Sequence, residues 1–260
     1  MNSSRFTTVT ETPGTGATGE QLRMLYARYK IAGELATRRD VLEVACGPGI
    51  GLGYLMSKAA SVVGGDYDPS LVEIAQRHYG DRVEVIHLDA QDMPFADSSF
   101  DVVLLLEALY YLRDVEKFLR EARRVLRDGG TLFICSANKE WNGFNPSPFS
   151  RAYYSAAELG ELMTRSGFDV SLFAGFPVED RGFKGRVLRL VRLIAVRFHL
   201  IPRTMRGKNI LKRILYGNLT PLPAEIGEEI ETAADTPVAL KTPGPVPGYK
   251  VIYAIGKVAT

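Results

Sequence analysis

The stretch from Val41 to Leu55, VLEVACGPGIGLGYL, constrains the fold of this chain more than any other. Apart from one glutamate, its first residues are apolar or β-branched, which is typical of a buried strand. Glycines then alternate with other residues, which predicts a turn that opens a helix. Because glycine has no Cβ, the backbone groups of such a turn can approach a ligand closely. The same turn also serves dehydrogenases, methyltransferases and purely structural corners, so it does not decide the function alone.

Composition limits the function classes that the 260-residue chain can belong to. The net charge of +2 argues against a general nucleic-acid binder. The N-terminal residues lack a signal-peptide pattern, and every long apolar run contains an arginine, so we expect a cytoplasmic protein. Cys46 and Cys135 are expected to be buried free thiols without a redox role.

Strands and helices alternate along the chain, which indicates an α/β fold with a mostly parallel sheet flanked by helices. Strands are predicted at 40–45, 61–65, 83–88, 100–106, 131–137, 168–173 and 249–258. Residues 1–17 are rich in Ser, Thr and Gly and are expected to be a disordered tail. We assign 18–176 plus 247–260 to the core domain, and 177–246 to an insertion between the last two strands.

Four acidic residues follow or end the first four predicted strands. They are Glu43, Asp66, Asp89 and Glu107. A single acid at such a position is usually a turn former or a helix cap. Four of them at one edge of a sheet, beside a glycine turn, predict a pocket for a ligand rich in hydrogen-bond donors.

Several spaced segments resemble the class I S-adenosylmethionine-dependent methyltransferases. They are VLEVACGPGIG, VVGGDYDPSLVEIA, LDAQDMPFADSSFDVVLLLEALYYL and RVLRDGGTLFI. The resemblance covers residues from about 20 to 173 and the last strand. It implies S-adenosylmethionine as cofactor, S-adenosylhomocysteine as product, and a seven-stranded Rossmann-like sheet whose last strand is antiparallel and lies between strands five and six.

The resemblance also implies how the nucleoside of the cofactor is bound. Asp66 would accept hydrogen bonds from both ribose hydroxyls, since a carboxylate offers only acceptors. Asp89 would accept from the adenine amino group, and the Ala90 N–H would donate to a ring nitrogen. Tyr67 would pack against the adenine or the ribose.

The same resemblance implies that the glycine turn binds the methionyl end of the cofactor. Gly47 and Gly49 would cradle it, while Glu43 would orient the loop or approach the cofactor's amino group. Tyr29, from the preceding helix, is a candidate for the cofactor carboxylate. Ala45 departs from the glycine that the family often has, and because alanine is small we expect the turn to survive.

A nicotinamide-dependent Rossmann enzyme is the closest rival interpretation, because Asp66 lies where a ribose-binding acid should. Its G-x-G-x-x-G fingerprint fails, however. If the motif starts at Gly47, its third glycine position is occupied by Leu52. If it starts at Gly49, that position is occupied by Tyr54. We therefore favour the methyltransferase interpretation.

Candidates for acid–base chemistry are few. The histidine that relatives often have after strand four is replaced by Tyr110 or Tyr111, so we name these two tyrosines and Glu107 as catalytic candidates, with packing or substrate orientation as the alternative. The lack of an obvious base keeps open a non-catalytic S-adenosylmethionine-binding partner protein. No metal is expected, because the cofactor already uses three of the four acids.

The segment 181–216 contains eleven Lys or Arg and no acid. Its arginines, Arg189 among them, predict a basic amphipathic helix that is a lid, a peripheral membrane contact or a wall for an anionic substrate. Together with Trp141, Phe144 and Asn145, this insertion is expected to select the acceptor. The sequence thus predicts methylation at O or N of a small or medium-sized metabolite, with an anionic glycan or lipid-linked intermediate as the suggested acceptor.

Overall fold

The computed structural model describes residues 10–178, 219–227, 236–241 and 244–258. Most of the predicted insertion, including the basic amphipathic helix and Arg189, lies outside the described residues. Within the described ranges, no helix is long and apolar enough to cross a bilayer.

Of the five α-helices in the described ranges, all but α2 (Leu52–Lys58) begin at a residue whose side chain caps the helix. Thr18 and Gln21 form a capping box at the start of the first helix, and Ser155 and Glu158 form another at the start of the fifth. Asp68 caps the third helix through the Ser70 N–H. The helices are α1 (Gly19–Ala36), α2 (Leu52–Lys58), α3 (Pro69–Tyr79), α4 (Val115–Val125) and α5 (Ala156–Arg165).

The main sheet follows from the alternation that the sequence predicted. Its strands are β2 (Asp40–Val44), β3 (Ser61–Asp66), β4 (Glu84–His87), β5 (Phe100–Leu106), β6 (Leu126–Ala137), β7 (Phe168–Pro177), β9 (Val238–Ala239) and β10 (Tyr249–Val258). Their spatial order is β4-β3-β2-β5-β6-β10-β7-β9. The strands β4, β3, β2, β5 and β6 are mutually parallel, and β10 pairs antiparallel with both β6 and β7. The implied place of the last strand is therefore confirmed, and the short β9 adds an eighth strand that was not predicted.

Helices cover both faces of this sheet, so its central strands are apolar on both sides. In β5, Leu104 packs on the face with α1, α2 and α3, while the next residue, Leu105, packs on the face with α4. Both leucines are fully buried. The glycine turn between β2 and α2 lies at the carboxyl end of this core.

The expectation of a disordered tail through residue 17 is wrong for residues 10–17. A strand β1 (Gly16–Ala17) pairs antiparallel with β8 (Thr220–Pro221), which returns from the predicted insertion. The Gly14 N–H also donates to the Leu222 carbonyl across 2.8 Å. Ala17 and Leu222 are buried against the core, and this burial compensates for a composition poor in large apolar side chains.

Candidate cofactor and acceptor site

The parallel register brings the four strand-end acids to one edge of the sheet. Val44 of β2 lies opposite Gly65 of β3 and Leu105 of β5, and the last residue of β3, Asp66, pairs with His87 of β4. Asp89, Asp66, Glu43 and Glu107 therefore lie in that order across the neighbouring strands β4, β3, β2 and β5, beside the glycine turn.

The turn itself depends on backbone conformations that favour glycine. Gly47 and Gly49 have φ of +61° and +81°, and Ala45 has φ of +57°. A left-handed alanine costs roughly 1 kcal/mol or more, yet the turn forms as expected. At Gly51 a Cβ would lie 1.9 Å from the Tyr29 ring, so only glycine lets α1 pack this closely on the turn.

Asp66 connects the end of β3 to the glycine turn. Its carboxylate accepts hydrogen bonds from the Gly47 N–H at 2.9 Å and the Asp68 N–H at 2.8 Å. Burial raises the pKa of Asp66, and these two backbone bonds partly oppose that increase. Since each carboxylate oxygen has two lone pairs, both oxygens keep an acceptor position for a ligand diol.

The residues predicted to contact adenine lie on two loops, Tyr67 after β3 and Asp89 and Ala90 after β4. Tyr67 is 45% exposed, and its carbonyl oxygen lies 3.0 Å from the His87 ring nitrogen. One oxygen of Asp89 accepts from both the backbone and the side-chain amide of Gln91, which fixes the start of the loop. Ala90 beside it is buried. An exposed aromatic ring and a half-buried carboxylate that follow two neighbouring strands are suitable groups for binding a heteroaromatic base.

Glu43 has one oxygen without a partner. The side chain is 1% exposed, and Oε1 accepts a 2.6 Å hydrogen bond from the Tyr29 hydroxyl. Oε2 is buried and has no hydrogen-bond partner within the described residues. Burial raises the pKa of this carboxyl to about 7. A ligand ammonium group would satisfy the orphaned oxygen, which a protein interior rarely leaves unpaired.

Tyr79 and Glu225 hold the turn in ways that the sequence did not suggest. The Tyr79 hydroxyl donates to the Gly49 carbonyl at 2.6 Å and accepts from the Gly53 N–H at 3.1 Å. Glu225 packs against Gly53. It also pairs with His78 near the end of α3 and with Arg82 just after that helix. Tyr79 has the spacing of a core residue on an amphipathic helix, and Glu225 is distant in sequence, so neither carried a recognisable signal.

Arg28 is a further residue that sequence reasoning missed. It lies within α1, and its Nη2 donates to Glu11 Oε2 at 2.6 Å. Its positive charge lowers the pKa values of Glu43 and Glu107, although burial raises both more strongly. The residue was inconspicuous because a single arginine on a charged helix resembles a solvated face.

Glu107 joins an aromatic cluster at the end of β5. Its Oε2 accepts from the Tyr110 hydroxyl at 3.1 Å and its Oε1 from Cys135 Sγ at 3.6 Å. The Tyr110 ring stacks on Tyr153 with centroids 4.4 Å apart, and Phe144 meets Tyr153 edge-on at 4.6 Å. We call Tyr110, Tyr153 and Phe144 the aromatic wall.

The other predicted acceptor residues have different surroundings. Tyr111 shares a 2.6 Å hydrogen bond with Ser147. Trp141 packs over Gly143 and under the Lys250 ammonium, 5.6 Å from its ring centroid. Asn145 is exposed. Of the three loop residues proposed for acceptor selection, the structure therefore brings only Phe144 into the wall.

Comparison with known proteins agrees with this geometry. A family described as a methyltransferase domain matches residues 42–134. A probable S-adenosylmethionine-dependent methyltransferase of Mycolicibacterium smegmatis is 36% identical over 138 residues, or 51% of this chain and 52% of that protein. Residues 42–134 therefore match a methyltransferase domain, and about half of the chain is similar to a probable S-adenosylmethionine-dependent methyltransferase. The chain spans about half the length of that relative.

A second relative of the chain has a more specific name. It is a probable phthiotriol/phenolphthiotriol dimycocerosates methyltransferase of Mycobacterium ulcerans, 41% identical over 173 residues, or 64% of this chain and 63% of that protein. Among solved structures, the YcgJ protein of Bacillus subtilis superposes with a TM-score of 0.58 at 14% identity, covering 90% of this chain and 99% of that one. At this identity the superposition supports the fold alone.

The residues present fit the cofactor of this family. The orphaned Glu43 oxygen suits its ammonium group, the Asp66 carboxylate suits its ribose diol, and the left-handed glycines leave the backbone of the turn accessible. Within the described residues, no three His, Cys, Asp or Glu side chains cluster as metal ligands would.

Proposed function

We propose that the protein is a methyltransferase that transfers the methyl group of S-adenosylmethionine to an oxygen or nitrogen of a small or medium-sized metabolite, and that the acceptor is a hydroxyl-bearing lipid. The observation that carries this proposal is the hydrogen-bonded Glu107 carboxylate within the aromatic wall, at the strand end next to the glycine turn. This arrangement supports the proposal because a carboxylate that could accept a proton lies beside aromatic rings that could contact an apolar ligand.

Bound S-adenosylmethionine supplies an electrophilic methyl group on a sulfonium sulfur. The chain's own residues must hold an acceptor oxygen in line with that group and remove its proton. The aromatic wall positions an apolar acceptor and excludes water, since stacked and edge-on rings offer a rigid apolar surface.

Glu107 is the member of the candidate set that can accept the proton. Burial raises the pKa of Tyr111 to about 12 and that of Tyr110 well above its ordinary value, so both phenols stay protonated near neutral pH and act as donors. Burial also raises the pKa of Glu107, which makes it a stronger base than an exposed carboxylate. Tyr110 then orients the Glu107 carboxylate through their hydrogen bond.

The lipid acceptor is supported by the relative whose name specifies phthiotriol and phenolphthiotriol dimycocerosates, at 41% identity. An anionic acceptor would instead require the basic segment 181–216, which lies outside the described residues. The aromatic wall consists of two tyrosines and a phenylalanine and supplies no positive charge, so we favour a neutral hydroxyl lipid.

The test is methyl transfer from S-adenosylmethionine carrying a deuterated methyl group to three matched lipids. One has a free phenolic hydroxyl, one has that hydroxyl blocked as an ether, and one carries a phosphate in its place. We expect label in the first lipid only, as read by mass spectrometry. Label in the phosphorylated lipid alone would favour the anionic acceptor. Cofactor binding without S-adenosylhomocysteine formation, with these lipids and with a cell extract, would favour the non-catalytic partner protein.

A further inference from the structure

The Arg28 guanidinium is held by an incomplete ion pair. Its side chain is 11% exposed, and its Nη2 donates to Glu11 at 2.6 Å. The neighbouring Nε–H is buried and has no partner within the described residues. A buried donor of a charged group without an acceptor is costly, so this arrangement needs an explanation.

The geometry of arginine supplies one. Nη2 is the terminal nitrogen on the Nε side of the guanidinium, and these two N–H groups form a parallel pair that fits both oxygens of one carboxylate. Glu11 uses only one of the two donors. A carboxylate that docks side-on would satisfy both, and is therefore a better occupant of Arg28 than Glu11.

A second orphaned atom lies in the same part of the molecule. Glu43 Oε2 is a buried acceptor without a donor. The Arg28 charge reaches Glu43 closely enough to lower its pKa. The neighbourhood thus offers an unsatisfied donor for an anion and an unsatisfied acceptor for a cation, which is the complement of an α-amino-acid zwitterion. The amino-acid end of the cofactor carries both charges.

The position of Glu11 places it over the glycine turn. The preceding residue, Thr10, lies 3.2 Å from where a Gly47 side chain would begin, and Gly14 is hydrogen-bonded to Leu222. The N-terminal segment therefore runs across the turn that receives the cofactor's methionyl end. Within the described residues, Glu11 forms the ion pair that joins this segment to α1.

We propose that Arg28 binds the carboxylate at the amino-acid end of the cofactor, and that Glu11 is an internal competitor that occupies Arg28 until the cofactor displaces it. This inference rests on the proposed function, because it assumes that the edge of the sheet binds S-adenosylmethionine. It predicts that Glu11 weakens cofactor binding, and that the effect depends on the ligand carboxylate and not on the adenosine.

The test is calorimetric titration of the full chain with S-adenosylhomocysteine and with 5′-methylthioadenosine, which has the same nucleoside but no amino acid. Arg28→Gln should weaken S-adenosylhomocysteine binding about 10- to 100-fold, the effect of losing charged hydrogen bonds, and leave methylthioadenosine binding within about twofold. Arg28→Lys should be intermediate, since lysine keeps the charge but not the paired donors. Glu11→Gln should strengthen S-adenosylhomocysteine binding about threefold or more and leave methylthioadenosine unchanged.

Matched controls are Arg23→Gln and Glu34→Gln, both exposed on α1, which should change neither affinity. Unchanged methylthioadenosine binding also shows that each variant is folded. Equal loss of both ligands in Arg28→Gln, or no loss, would overturn the carboxylate site, and weaker S-adenosylhomocysteine binding in Glu11→Gln would overturn the competition. If neither ligand binds the wild-type chain, the proposed function fails instead.

Discussion

Tyr29 and Glu43 share a hydrogen bond of 2.6 Å inside the core, between the helix that precedes the glycine turn and the strand that leads into it. The bond satisfies one carboxylate oxygen and leaves the other buried without a partner. A glutamine at this position would bury no charge, so a carboxyl group here costs stability whenever it is ionised. Such a cost is expected where the charge serves a ligand.

The first prediction concerns the pH dependence of stability. Burial raises the pKa of Glu43 from 4.5 to about 7, so between these values the folded chain holds a proton that the unfolded chain has released. This group therefore destabilises the fold progressively as the pH rises through that window, by about 3 kcal/mol once it is fully ionised. Glu43→Gln removes the effect. We expect the variant to gain stability relative to wild type by that amount between about pH 4 and about pH 8.

Urea unfolding of both proteins at the two pH values measures this difference. Because the comparison is between wild type and variant at each pH, the other buried carboxyls cancel. Glu34→Gln, at an exposed position of α1, is the control and should give the same difference at both pH values. If the stability difference between Glu43→Gln and wild type were the same at both pH values, burial would not raise the pKa of Glu43.

The second prediction concerns Tyr79, whose hydroxyl joins the Gly49 carbonyl to the Gly53 N–H. Tyr79→Phe removes both bonds and leaves two backbone groups without that partner, which should lower the free energy of unfolding by about 1–3 kcal/mol. The turn should also lose order, so S-adenosylhomocysteine should bind more weakly. Urea unfolding and calorimetry measure the two effects.

Tyr67→Phe is the control. Because Tyr67 is 45% exposed, this change should leave stability unchanged. Equal stability of the two variants would refute the role of Tyr79.

The sheet and one side of the site could be predicted from sequence because their signals are local. The alternation of apolar strands with helices, and acids at the strand ends, together gave the edge formed by Glu43, Asp66, Asp89 and Glu107. The left-handed backbone at Gly47 and Gly49 follows from glycine itself. These features need no knowledge of distant partners.

The rest depended on contacts between residues far apart in the chain. The pairing of β1 with β8, the position of Glu225 against Gly53, and the Glu11–Arg28 ion pair each join segments whose own sequences carry no periodicity. The order of residues 10–17 was missed for this reason, since a polar segment acquires order from its partner strand. Phe144, which was predicted to help select the acceptor, packs on Tyr153 in the aromatic wall, and Tyr153 had no signal in the sequence.

The third prediction concerns the loop after Asp89, which is hydrogen-bonded to two side chains of α4. The Arg124 guanidinium donates to the Phe95 carbonyl at 2.7 Å and the Met93 carbonyl at 3.0 Å, and Glu121 accepts from the Met93 N–H at 2.9 Å. Arg124→Gln should release this loop and weaken S-adenosylhomocysteine and methylthioadenosine alike, by about tenfold, because both contain adenosine.

Calorimetry with the two ligands separates this effect from that of Arg28, which should act on one ligand only. Arg120→Gln, on the exposed side of α4, is the matched control and should bind both ligands as wild type does. Selective loss of S-adenosylhomocysteine in Arg124→Gln would show that the loop does not position the adenosine.

The fourth prediction concerns the base. Glu107→Gln keeps the shape of the side chain and an oxygen for the Tyr110 hydroxyl, but it cannot take a proton. With an acceptor lipid from the deuterium assay, kcat should fall by about 10²–10⁴, the usual contribution of a general base, while S-adenosylhomocysteine affinity changes little.

Since burial raises the pKa of Glu107, protonation below that pKa should switch the wild-type rate off, and the rate should rise to a plateau as the pH increases through it. The variant should show no such rise. Tyr111→Phe, which loses the bond to Ser147, should reduce kcat by less than about tenfold, because a phenol with a pKa near 12 is not the base. The assignment of the base would move to a tyrosine if Glu107→Gln kept its rate and its pH profile while Tyr110→Phe or Tyr111→Phe lost activity.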